Sequence, residues 1–258
     1  MSINDPSIPG ALPPEGTARR PKRGGLLKEL VLVVVAALVL SVLVKTFLFR
    51  AFVIPSQSME ETLLVGDRVF VNLLVPGPFD LERGDVVVFK DDQQWLEPTN
   101  NPPAGPIADA LTFLGLRPDD STQHLVKRII GMPGDTVECG EDGQLKVNGV
   151  VLHEGYLKSG VKPSEVTFKA VVPEGKIWVM GDNRSNSADS RSHSAKQSGF
   201  IDIASVEGRA DIIAWPLHRI GGVQNSGDTF KDVQDRPAHE YDPTEQDVSH
   251  EPVESMAP

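Results

Sequence analysis

A charge-free apolar run near the amino end limits what this chain can fold into more than any other feature. Leu30–Val44 reads LVLVVVAALVLSVLV. As a helix it spans ~22 Å, and the apolar residues on either side extend it to the ~30 Å of a bilayer's hydrocarbon core. The sequence therefore predicts one transmembrane helix over residues 26–49. A helix buried in a protein core is the alternative.

The residues around this run predict how the segment is used. A basic stretch before an apolar run is also typical of a cleaved secretory signal, but the residues after Val44 (KTFLFR) hold no small-x-small cleavage pattern. We therefore predict an uncleaved signal-anchor. The positive-inside bias places the tail 1–25 in the cytoplasm and the chain after residue 50 outside. The basic residues before the run are Arg19, Arg20, Lys22, Arg23 and Lys28, against Lys45 and Arg50 at its far end.

Charge and cysteine content argue against a nucleic-acid-binding surface and an intrachain disulfide. The formal net charge is −11, and most of it comes from the last 33 residues, where nine acidic residues face two basic ones. The rest of the chain is only mildly acidic, so no nucleic-acid surface is expected. Cys139 is the only cysteine, which excludes an intrachain disulfide. Residues 223–258 have few large apolar side chains and are predicted to form a disordered acidic tail.

Residues 50–222 have the patterns of a mainly β domain. Short β-branched segments alternate with turn residues, and Asp142-Gly143 and Asn148-Gly149 are typical hairpin turns. Asp91–Gln123 is polar and proline-rich and is predicted to be a long loop, with a short helix at Ala108–Leu116. The predicted strands are Arg68–Leu74, Asp85–Lys90, Leu145–Val151, Val166–Val172, Lys176–Met180 and Gly208–Trp215.

Three polar segments have compositions that packing alone does not explain: Ile54–Asp67, His124–Asp135 and Gly181–Arg191. The first contains Ser58. Nine residues separate Ser58 from the end of the apolar run, a reach of at most ~30 Å. Ser58 would therefore lie close to the outer face of the bilayer.

Lys127 lies in an apolar, strand-like run. Leu125-Val126 directly precedes it, and Ile129-Ile130 follows after Arg128. Strand alternation puts Lys127 and Ile129 on one face and Arg128 on the other. Desolvation on an apolar face lowers the pKa of a lysine and makes its neutral amine available as a general base. A lysine at the end of a strand, with its ammonium group in water, is the alternative.

Four ordered blocks resemble the signature blocks of bacterial type I signal peptidases, which are membrane-anchored serine proteases with a Ser-Lys dyad. The blocks are PSQSMEETL, RGDVVVF, KRIIGMPGD and GDNRSNSADSR, and the resemblance spans residues 26 to about 222. Two positions depart from the family pattern. Glu61 stands where many members carry proline, and Ser185 stands where an aspartate is common. Ser185 is expected to alter ion pairing around Arg184, and neither departure removes a reactive group.

The resemblance implies a fold and a set of roles. It implies an antiparallel β catalytic core with a smaller β subdomain inserted at roughly 136–175. Ser58 would be the nucleophile and Lys127 its general base. The Ser58 amide and the Ser56 hydroxyl would form the oxyanion hole, and Ser187 would orient Lys127. Structural support of the site would come from Asp182, Asn183, Arg184, Asp189 and Arg191.

An extended substrate could add as a strand between Phe52–Ser56 and His124–Val126. Two alternate substrate positions would then face the protein, and the family implies small residues at −1 and −3. The same residues could equally be ordinary core. The candidate substrate-binding residues are Phe52, Ile54, Pro55, His124, Leu125 and Val126.

The sequence thus predicts a single-pass serine endopeptidase of the bacterial cytoplasmic membrane, whose extracytoplasmic domain removes signal peptides from exported preproteins. The expected partners are those signal peptides, the lipid bilayer and, as a further candidate, the secretion translocon. No cofactor and no metal are expected. Two alternatives stay open: a Ser-Lys peptidase dedicated to one exported substrate, and a non-catalytic, membrane-tethered β module that binds peptides.

Overall fold

A computed structural model describes residues 23–96, 105, 123–158, 160–197, 199–240, 242 and 247–252. The chain divides into two units, with the boundary after Ser41. Three predictions lie wholly or mostly outside the described residues: the basic tail, the loop Asp91–Gln123 and the short helix within that loop.

Helix α1 (Arg23–Phe47) contains the apolar run. No proline interrupts it, and its described side chains from Lys28 to Ser41 are all exposed. Among the described residues, we find no helix with both the length and the apolar character needed to cross a membrane. The transmembrane segment therefore stays a prediction. Its expected end at residue 49 is two residues too late, because Phe49 already pairs with Asn72 in a sheet.

Thirteen strands and a second helix follow in the part of the chain that the structure describes. Helix α2 covers Ser190–Gln197. The strands are β1 (Phe49–Val53), β2 (Arg68–Asn72), β3 (Val86–Lys90), β4 (His124–Gly131), β5 (Thr136–Cys139), β6 (Leu145–Val147), β7 (Val150–Val151), β8 (Val166–Val171), β9 (Lys176–Met180), β10 (Ile201–Asp202), β11 (Val206–Trp215), β12 (Gly221–Gly222) and β13 (Asp247–Pro252).

These strands form two antiparallel sheets. The first has eight strands in the order β1-β2-β11-β3-β4-β9-β10, with β12 paired to β11. The second has five strands in the order β13-β8-β5-β6-β7. The prediction of a mainly antiparallel β fold is confirmed. Strands β5 to β8 lie within the stretch where the resemblance implied an inserted subdomain.

Local turn chemistry explains the tightest hairpin. Strands β6 and β7 are joined by Asn148 and Gly149 alone, with φ values of 55° and 84°. A two-residue hairpin turn needs positive φ at both positions, which asparagine and glycine tolerate. The Asn148 side chain also accepts a hydrogen bond from the Thr136 amide at 2.9 Å. The hairpin predicted from Asn-Gly is therefore present.

The carboxy-terminal tail differs from the prediction of a disordered spacer. Phe230 and Val233 are buried in the same apolar cluster as Trp178, which lies on β9. The Asn225 side chain accepts a hydrogen bond from the Val86 amide at 3.1 Å, and the carbonyl of Gln234 accepts one from Asn148 at 2.8 Å. The acidic composition did not reveal these contacts. Two buried apolar residues, Phe230 and Val233, are enough to pack the segment against the core although most of its residues are polar.

Replacing Phe230 tests whether the tail belongs to the core. Phe230→Ala should lower the free energy of unfolding by ~3–5 kcal/mol, the usual cost of truncating a buried phenylalanine. The exposed neighbour Lys231 offers a matched control, and Lys231→Ala should change little. Urea denaturation of the full chain measures both. Equal stability of the two variants would show that the tail contributes nothing to the core.

Candidate active site

The segment around Ser58 forms a turn that is closed by main-chain hydrogen bonds and packs on the apolar core. Its ends are joined by hydrogen bonds from the Ile54 amide to Asp67 O and from the Gly66 amide to Ile54 O, both 2.9 Å. Met59 and Leu63 are buried in the apolar cluster below. These anchors leave the polar Pro55–Ser58 portion at the surface, with the Ser58 side chain half-buried.

Lys127 on β4 points at this turn. Its Nζ donates to Ser58 Oγ at 2.8 Å and to Val126 O at 3.0 Å. Only 2% of Lys127 is exposed. Burial lowers the pKa of the lysine to about 8, although the negative charges of Asp189 and Asp182 oppose that shift. None of the salt bridges among the described residues involves Lys127, so the amine is buried without a directly bonded counter-ion.

The second serine of the turn lies beside the first. Ser56 Oγ is 3.2 Å from Ser58 Oγ and accepts a 3.4 Å hydrogen bond from the Ser58 amide. A hydroxyl and an amide N–H therefore lie next to the candidate nucleophile. Together they can supply two donors to a developing negative charge.

Gly181 follows the last residue of β9 and lies directly behind Ser58. A Cβ atom at this position would collide with the Ser187 hydroxyl and with the carbonyl oxygen of Ser58. The Gly181 amide donates to Asp189 Oδ2 at 2.9 Å. Any larger residue would therefore push the 181–191 segment away from Ser58.

Ser187 lies close to the dyad but is not bonded to Lys127. Its buried hydroxyl oxygen has no hydrogen-bond partner of regular geometry among the described residues. It is near enough to Asp189 to help lower the pKa of that carboxyl. The orienting role implied for Ser187 stays a prediction.

Asp189 is held as a carboxylate by Arg191. Arg191 donates from Nε to Oδ1 at 2.9 Å and from Nη2 to Oδ2 at 2.8 Å. Burial by itself would raise the pKa of Asp189, but the charge and hydrogen bonds of Arg191 outweigh it, and the pKa is lowered. The pair also fixes the loop, because Arg191 Nη2 donates to Arg184 O at 2.9 Å.

Asp182 forms a similar two-bond salt bridge with Arg128, the residue next to Lys127. The guanidinium donates to both carboxylate oxygens, at 2.9 and 2.7 Å, and both side chains are fully buried. Arg128 also donates to Gly84 O at 2.6 Å. Arg128 is not among the site residues predicted from the sequence. An arginine within an apolar strand nevertheless indicates a buried charge that needs a partner.

Arg184 has a partner that sequence spacing did not reveal. It forms a buried ion pair with Glu154, including a 2.8 Å bond from Nη1 to Oε2, and Tyr156 lies against the same pair. Ser185 is exposed. The Arg184 guanidinium pairs with Glu154, and the expected effect of Ser185 on ion pairing around Arg184 stays a prediction.

The candidate substrate-binding residues fall into two groups. Ile54 and Leu125 are buried in different apolar clusters, as ordinary core residues are. Phe52, His124 and Val126 are half-buried, with the Phe52 and His124 rings edge to face at 5.1 Å, and Pro55 is exposed. Strand β3 pairs with β4 over His124–Arg128, and β9 pairs with β4 from Arg128 onward.

Comparison with known proteins decides the family. The model of the family described as signal peptidase, peptidase S26, matches residues 27–215. The chain belongs to this family. Membership confirms the resemblance and makes the protein a serine peptidase of the hydrolase class.

Two relatives, from Mycobacterium leprae and Bacillus subtilis, support this assignment. A probable signal peptidase I of Mycobacterium leprae is 36% identical over 235 residues, which cover 79% of this chain and 81% of the relative. Signal peptidase I P of Bacillus subtilis subsp. natto is 34% identical over 195 residues, which cover 72% and 88%. The crystal structure of an Enterococcus faecalis signal peptidase I is 28% identical, covers 51% of this chain and 97% of that structure, and has a TM-score of 0.34.

The buried Arg184–Glu154 pair generates a stability prediction. Glu154→Gln leaves the Arg184 charge buried without a counter-ion, which should lower the free energy of unfolding by ~3 kcal/mol. The exposed Glu165 provides the control, and Glu165→Gln should have little effect. Urea denaturation compares the two. Wild-type stability in Glu154→Gln would contradict a buried charge pair.

Proposed function

We propose that this peptidase removes N-terminal signal peptides from exported preproteins, with Ser58 as nucleophile and Lys127 as general base. One observation carries the proposal. The buried Lys127 amine lies 2.8 Å from Ser58 Oγ, and its pKa is lowered to about 8. At pH 7 roughly a tenth of the lysines with such a pKa are uncharged and can accept a proton.

The reaction follows from this geometry. Lys127 takes the proton of Ser58 Oγ as that oxygen attacks the scissile carbonyl. The Ser58 amide and the Ser56 hydroxyl hold the oxyanion of the tetrahedral intermediate. The Lys127 ammonium then gives its proton to the leaving amine, and an acyl-enzyme remains. Water, deprotonated by Lys127, attacks the ester. The bond to Ser58 Oγ then breaks, Ser58 Oγ takes the proton back from Lys127, and the signal peptide leaves with a free carboxylate.

Substrate binding would use main-chain groups on either side of Ser58 and Lys127. Strand β1 ends the first sheet, and β9 pairs with β4 from Arg128 onward. An extended peptide between Phe52–Ser56 and His124–Val126 would gain main-chain hydrogen bonds to both. Alternate side chains would then point toward the half-buried Phe52 and Val126, and the family implies small residues at −1 and −3.

The membrane anchor is part of the same proposal and rests on the sequence of the apolar run and its basic flank. It places the chain in the bacterial cytoplasmic membrane, amino end inside, with the lipid bilayer and the secretion translocon as partners. A peptidase dedicated to one exported substrate would differ in accepting few preproteins, and a non-catalytic peptide-binding module would need no reactive Ser58.

Cleavage of a preprotein tests the function and its nucleophile together. Detergent-solubilised full chain should cut a preprotein bearing Ala-x-Ala after the final alanine, and Ser58→Ala should lose at least 1,000-fold in rate. Product mass gives the site. A folded wild type that cuts no preprotein would contradict the general peptidase and leave the two alternative functions.

The pH dependence tests the base. Because Lys127 must be neutral to accept a proton, kcat/KM should rise with pH along a limb centred near the pKa of about 8. Lys127→Ala should abolish the activity while leaving the fold intact. Maximal activity near pH 5, or substantial turnover by Lys127→Ala, would contradict the assignment.

A further inference from the structure

We propose that Asn183 is a positioning residue that fixes the direction of the Ser58 N–H, one donor of the oxyanion hole. This inference rests on the proposed function. It gives a specific task to a residue for which the sequence predicted only general structural support of the site.

Asn183 holds two successive carbonyl groups of the nucleophile turn. Its side-chain Nδ2 donates to Gln57 O at 3.1 Å. Its main-chain N–H donates to Ser58 O at 3.0 Å. The residue therefore contacts the peptide groups on both sides of the Ser58 Cα atom.

Peptide planarity converts the first contact into control of the oxyanion donor. Gln57 O and Ser58 N belong to the same planar peptide group, so fixing the carbonyl direction fixes the opposite direction of the N–H. A turn at the protein surface could otherwise rotate this peptide. Gln57 O also accepts a hydrogen bond from the Glu60 amide at 3.2 Å. Among the residues that the structure describes, the Ser58 N–H donates to Ser56 Oγ alone, at 3.4 Å.

Asn183 can do this because its neighbours are immobilised. Asp182 is fully buried in its two-bond pair with Arg128, and Arg184 is buried against Glu154. The Asn183 carbonyl also accepts from the Asn186 amide at 2.9 Å. Two buried ion pairs thus hold the backbone on either side of Asn183, and the Asn183 side-chain amide contacts the turn.

The chain offers a matched comparison at Asn186. Its Nδ2 donates to the side chain of the same residue, Gln57 Oε1, at 3.3 Å, but it does not contact a peptide group of the turn. Asn183 is half-buried and Asn186 is exposed, so truncating either leaves no buried polar group unpaired. Loss of activity at Asn183 alone would therefore reflect orientation rather than folding.

The test compares the full chain with Asn183→Ala, Asn183→Asp and Asn186→Ala. Both Asn183 variants lose the Nδ2 donor. Their kcat on an Ala-x-Ala preprotein should fall about 10- to 100-fold, somewhat less than loss of an oxyanion donor itself, with KM within about twofold. The melting temperature should stay near that of the wild type, and Asn186→Ala should keep kcat within about twofold.

A second measurement is independent of any substrate. The ¹H–¹⁵N residual dipolar coupling of Ser58 reports the direction of its N–H. It should change in Asn183→Ala and stay at the wild-type value in Asn186→Ala. An unchanged coupling would overturn the inference even if the wild type cut no preprotein. An active wild type with unchanged kcat in Asn183→Ala, or a loss confined to KM or matched by a fall in melting temperature, would overturn it while leaving the proposed function intact.

Discussion

Desolvation of Lys127 is the constraint on which the site depends. The lysine is buried on β4, and burial lowers its pKa to about 8 although two carboxylates, Asp189 and Asp182, lie close enough to oppose this shift. Each carboxylate is bonded through both oxygens to an arginine of its own, Arg191 and Arg128. Because both carboxylates form salt bridges with these arginines, neither is bonded to Lys127. The neutral form of the lysine therefore stays accessible.

The fold brings this environment together from distant parts of the chain. Pairing of β4 with β9 places the Lys127 strand beside Gly181, and the absence of a Cβ there lets the Ser58 turn approach. The turn is closed by the bonds between Ile54, Gly66 and Asp67. The arginine pairs then serve two purposes, since they neutralise the carboxylates and fasten the segment that carries Asn183. The same buried ion pairs therefore balance the charges near Lys127 and hold the Asn183 segment in place.

The sequence predicted what depends on local pattern. Alternation and turn residues identified most strands of the two sheets, and a lysine inside an apolar strand identified the candidate base. Contacts between distant residues were not accessible in this way. Nothing in the spacing links Arg184 to Glu154, and an acidic composition concealed the buried Phe230 of the tail. Phe49 was assigned to the apolar run because hydropathy does not reveal that it pairs with β2.

The central claim is that Lys127 is neutral at a pH where other lysines are charged. The most direct measurement is an NMR titration of the full chain labelled with ¹³Cε-lysine, with the Lys127 signal assigned by its loss in Lys127→Met. A titration midpoint near 8 is the expected result. A midpoint near the ordinary lysine value of 10.5 would contradict the account, because only roughly one such lysine in 3,000 is neutral at pH 7, against roughly one in ten at a pKa of about 8.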